Sequence, residues 1–299
     1  MRMPVAPPRP APRRPRPRRY WIILVVLGTL AAAFVLALTI VLRLESGEWQ
    51  VPDIDDMQRI VLRTPAPPAR TIFLERRSIV IHPGDNDSSR AISSVLGNVR
   101  EKVAAAASNK LAAAKPAAAK PAAAKPAAAK PDPARPVKMP GWNGTDRAWS
   151  QVVKCVANLF APFNVTVTDR PPTDGKDYVL TVVGGRPGDL GVTDGHVGGL
   201  APFNGDVIAR PVVFAFSAQL GNSVTQVCET IGMEVAHAYG LDHGYLCSDV
   251  MTYLRPCGSK KFVDKDVRCG EGKARNCEGG APTQNSYQRL MQVLGPRPR

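Results

Sequence analysis

Residues 223–243 read SVTQVCETIGMEVAHAYGLDH, and this stretch decides the fold. Ser223 and Gln226 have capping-box spacing ahead of an apolar-periodic run, so a helix is predicted to start there. Met233 and His237 are four residues apart and share a helix face, with Glu234 beside them. Gly240 can take the left-handed conformation that ends a helix, and the turn it makes would throw His243 back towards His237. Two imidazoles and a carboxylate brought together this way have the layout of a hydrolytic metal centre. Such a centre needs three protein ligands, an open position for water and a carboxylate to take the water's proton.

Outward from this helix, residues 145–160 (TDRAWSQVVKCVANLF) put Trp149, Val152, Val153, Val156, Leu159 and Phe160 on one helical face, with Thr145 or Asp146 as cap. Strands are predicted in 70–83 (RTIFLERRSIVIHP), at 164–168 (NVTVT), at 178–183 (YVLTVV) and at 211–217 (PVVFAFS). Residues 286–294 have helical spacing and stop at Gly295 and Pro296.

The run from Met233 to His243, M-E-x-x-H-x-x-G-x-x-H, resembles the signature H-E-x-x-H-x-x-G-x-x-H of metzincin-clan zinc metallopeptidases of matrixin or astacin type, with the first histidine replaced. Asp249-Val250-Met251-Thr252-Tyr253 resembles the clan's Met-turn. The resemblance implies an α+β, metzincin-like catalytic domain: a twisted mixed sheet, a long helix, an active-site helix, a Met-turn and a C-terminal helix. It implies zinc ligation by His237 and His243, general base and acid work by Glu234, oxyanion support by Tyr253, and a structural Met251. Met233 departs from the pattern, because its thioether is a soft neutral donor suited to copper(I) rather than to zinc. His196 in TDGHVGG and Asp242 are the candidates for a substitute ligand. The six cysteines allow fifteen pairings; proximity in sequence suggests Cys269 with Cys277, Cys247 with Cys257, and Cys155 with Cys228.

The rest of the chain is organised around that domain. Residues 1–19 carry seven arginines among prolines and read as a cytoplasmic tail. Residues 20–42, uncharged and apolar, read as one transmembrane helix, with a cleaved signal peptide as the competing reading. Residues 43–69 read as a stalk, and 70–299 as the domain, interrupted at about 101–139 by an AAAKP-repeat spacer that proline keeps from forming a helix. The expected location is therefore the cell membrane, single-pass, with the C-terminal domain extracytoplasmic at the periplasm or cell surface. An even cysteine count in one domain agrees with an oxidising compartment. The net charge of +14 sits largely in the two low-complexity tracts, so no nucleic-acid partner is expected. The expected partners are the membrane and a peptide or protein of the cell envelope. Two functions fit: a degenerate pseudo-peptidase that binds without cutting, or an active zinc endopeptidase with a substitute third ligand. The sequence leaves open whether the chain is an enzyme.

Overall fold

Strand β6 (Val179–Val183) and strand β8 (Val212–Ala215) are buried along their whole length, which explains why their sequences are continuous apolar runs rather than alternating ones: parallel central strands are covered on both faces. In this computed structural model, which describes residues 67–102 and 135–298, they form the middle of a five-stranded sheet. Its other strands are β1 (Thr71–Glu75), β5 (Thr166–Thr168) and β7 (Gly199–Leu200), in the order β5-β1-β6-β8-β7. All neighbours are parallel except β7, which runs antiparallel to β8 with Gly199 opposite Ala215.

Side chains of these strands alternate between two cores. Ile72, Leu74, Val179, Val183, Val213 and Ala215 face the helices α2 (Asp146–Leu159) and α3 (Val224–Ala238). Phe73, Leu180, Val182, Val212 and Phe214 face the other way, onto Ile81, Val95, Leu96 and Met139. That second layer holds a three-stranded sheet, β3-β2-β4 (Ile92–Ser93, Ile79–Pro83, Val137–Met139), and a helix α1 at residues 94–102. A last helix, α4 (Ser286–Leu294), packs Leu290 and Leu294 into the first core.

α2 begins at the Thr145 cap, whose Oγ1 accepts from Ala148 N at 3.1 Å, and α3 begins at the Ser223 cap. Cys155–Cys228 ties these two helices together, and Cys247–Cys257 and Cys269–Cys277 close short loops further on.

The structure corrects several expectations. The tail at 1–19 and the span expected at 20–42 lie outside the described residues. Among the described residues no helix is long and apolar enough to cross a membrane. The longest, α3, has 15 residues, about 22 Å at 1.5 Å per residue against a hydrocarbon core of ~30 Å. The fold class is mixed α/β, four helices and two sheets among the described residues and no membrane-spanning helix among them, so the expected single-pass membrane location finds no support there. The stalk ends earlier than residue 69, because Ala69 is buried and its carbonyl accepts from Tyr239 Oη at 2.8 Å. The spacer is shorter than 101–139 as well: β4, at its far end, pairs antiparallel with β2.

Candidate metal-type centre

α3 packs tightly because it carries glycine where it crosses α2: a Cβ on Gly232 would sit 3.0 Å from Leu159 Cδ1. The helix stops in a Schellman arrangement. Gly240, at φ +87°, donates to His237 O, and Leu241 donates to Ala236 O. Any side chain at Gly240 would also meet Gly205 O at 2.6 Å. The turn delivers His243 to His237 with their Nε2 atoms 2.9 Å apart and their rings at 84°.

The other nitrogen of each ring is already committed. His237 Nδ1 lies 2.7 Å from Leu241 O, and His243 Nδ1 lies 2.6 Å from Glu271 Oε1. A carbonyl and a carboxylate can only accept, so each Nδ1 bears a proton, and a ring in its neutral form presents a lone pair at Nε2. Two lone pairs facing at 2.9 Å repel unless a proton or a metal ion lies between them. Burial, and next the neighbouring His243, push the His237 pKa down to about 3, so His237 does not itself carry that proton at neutral pH.

Below the pair is the turn Asp249–Tyr253. Met251 is fully buried, its carbonyl accepts from Gly244 N at 2.9 Å, and its own N–H donates to Asp249 Oδ1 at 3.0 Å. Ser286 Oγ donates to Asp249 Oδ2 at 2.8 Å, which pins the turn to α4. Tyr253 stands edge-on to His243 with ring centroids 4.5 Å apart, and its side chain is half exposed.

Asp249 has a consequence for stability. Burial raises its pKa from 3.8 to about 6, against the opposing hydrogen bonds from Met251 and Ser286. The folded state thus keeps a proton that the unfolded chain releases near pH 4, and stability falls as pH rises from about 4 to about 6. The loss is complete above that range and amounts to roughly 3 kcal/mol. Thermal melts against pH should show this decline in wild type. They should show a flatter profile in Asp249→Asn, which is expected to be the more stable protein at pH 7; equal slopes would reject the assignment.

His243 is oriented by Asp242, which the sequence offered as a substitute ligand, and by Glu271, which sequence reasoning missed. Asp242, beside it, accepts from His243 N at 2.6 Å, from Glu278 N at 2.9 Å and from both terminal nitrogens of Arg275 at 2.6 and 2.9 Å. Burial alone would raise the Asp242 pKa, but these donors outweigh it and hold the carboxyl below its usual range. Asp242 is therefore a structural anion, and its proposed role as substitute ligand is not where its oxygens are spent. Glu271 is carried by the loop that Cys269–Cys277 closes. An acid flanked by glycines inside a short disulfide loop was its only sequence signal.

Glu234 is buried, and burial pushes its pKa up to about 8, so it is mostly protonated at neutral pH. It lies under the edge strand: a Cβ on Gly199 would meet Glu234 Oε1 at 2.7 Å. Met233, Glu234, Tyr253, His196, Arg255 and Lys260 are among the residues that line a cavity of about 260 Å³. A larger cavity of about 1020 Å³, between α2 and Phe262, shares none of these residues.

The donor set does not fit zinc. At Zn–N distances of ~2.0–2.1 Å in a tetrahedron the two Nε2 atoms would stand about 3.3 Å apart, a few tenths more than observed, which ring adjustment can supply. The third position is the difficulty, because the residue one turn before His237 is Met233, a thioether and not an imidazole. Among the described residues the only cluster of three possible His, Cys, Asp or Glu ligands is Asp242 with Cys269 and Cys277, whose sulfurs are joined to each other and offer no thiolate. His196 is in the cavity wall and is not clustered with the two imidazoles. Compared with protein-family models and with curated proteins, the chain matches none.

Proposed function

We propose that this chain is a metzincin-like pseudo-peptidase, which holds an extended peptide or protein segment in the groove beside His237 and His243 without hydrolysing it. The observation that carries the reading is a hydrolase-type constellation lacking its third imidazole: His237, His243, Glu234 and Tyr253 come together, and Met233 stands one turn before His237. Two further features support it. Glu234, protonated by burial, is not available as a base at neutral pH. Strand β7 ends the sheet beside Glu234, and an edge strand can accept an extended peptide as one more strand. The capped α3 with its glycine stop and the buried Met251 support the reading. Three disulfides suit an oxidising compartment.

The test is to incubate the protein with unfolded protein substrates, search for new termini by mass spectrometry, and follow amide exchange at Gly199 and Leu200 with and without peptide. Slowed exchange without new termini is expected. Chelator-sensitive cleavage that Glu234→Gln abolishes would instead establish the second reading, a zinc endopeptidase with a substitute third ligand. His196, in the wall of the same cavity as Met233 and Glu234, is the residue that favours that alternative.

A further inference from the structure

We infer that Met233, His237 and His243 form a binding site for copper(I). Three observations lead there, none of them dependent on whether the groove takes a peptide. First, the two Nε2 atoms face each other at 2.9 Å while Leu241 O and Glu271 Oε1 hold the two Nδ1 protons, so the pair is arranged around a shared cation. Secondly, Met233 is on the same face of α3 as His237, one turn earlier, and is almost wholly buried. A residue four positions earlier on the same helix face is placed to supply a third donor.

Thirdly, none of the three donors is an anionic side chain. Two imidazoles and a thioether supply no negative charge to a divalent ion, whereas thioether sulfur selects soft monovalent copper. Copper(II) prefers tetragonal nitrogen and oxygen ligands, with which a thioether does not comply. His237 and Met233 are 7 % and 8 % exposed, so both donors are held in place by packing. Met233 also lines a cavity that it shares with Glu234 and Tyr253. The carboxylate on His243 Nδ1 strengthens that ring as a donor and fixes its orientation, as partners of metal-bound histidines generally do.

The experiment titrates the full chain, produced with its disulfides formed, against copper(I) under anaerobic conditions in competition with a chromophoric copper(I) chelator, and separately against zinc(II). One copper(I) per chain is expected. Met233→Leu, which keeps the core volume, should weaken it at least tenfold, and His243→Gln should abolish it. X-ray absorption should show sulfur scattering at the copper in wild type and none in Met233→Leu. Unchanged copper(I) affinity in Met233→Leu, or stoichiometric zinc held more tightly than copper(I) by wild type, would overturn the inference. Either result leaves the peptide-groove reading to its own test.

Discussion

Met233→His is expected to convert a chain that takes up zinc poorly into one that holds about one zinc per molecule, because it restores the three-imidazole set of a catalytic zinc site. The background is already prepared. His237 and His243 are converged, their Nδ1 protons are bound to Leu241 O and Glu271, and the replaced residue lies on the correct face of α3. Elemental analysis of wild type and variant after equilibration with zinc reads the result directly. If wild type holds the same amount, a substitute ligand exists and His196→Ala should remove it. If neither protein binds zinc, the backbone is not that of a metal site and the clan resemblance loses its chemical content.

Removal of Cys155–Cys228 should have the largest effect on stability. The bridge spans 73 residues of sequence and joins α2 to α3 across the main core. The loop-entropy relation gives about 4 kcal/mol for a closed loop of this length. For a domain of this size that corresponds to a fall in Tm of roughly 8–16 °C in the double variant Cys155→Ala, Cys228→Ala. A double variant melting within about 2 °C of wild type would mean that the helices are held by packing alone. Trp149, Val152, Val156, Val227 and Ile231 would then carry the whole contact.

How much of this was legible in the sequence depends on whether the signal was local. α3 was readable from end to end because its cap, its apolar period and its stopping glycine all lie within twenty-one residues. The convergence of His243 on His237 follows from that same stop. β6 and β8 were readable as unbroken apolar runs. The second sheet was not: β3 has two residues and β4 three, and β4 finds its partner β2 only from beyond the AAAKP tract. β7, with two residues and a glycine, has no propensity to announce it. At the site, His243 meets His237 and Tyr253 within a few residues of sequence, but Glu271 is brought to His243 across 28 positions. Asp242 was visible, yet its four hydrogen-bond donors were not, and these commit its carboxylate to holding the loop rather than to a metal.

That loop ties the behaviour of the centre to how the protein is made. Residues 269–277 present Glu271 to His243 because Cys269–Cys277 closes them and Arg275 fastens them to Asp242. In a reducing cytosol the closure does not persist, and the carboxylate that fixes the His243 tautomer is set loose. Protein prepared there and protein exported to an oxidising compartment would share a sequence and differ at the imidazole, so a metal affinity measured on the first describes a different molecule from the second.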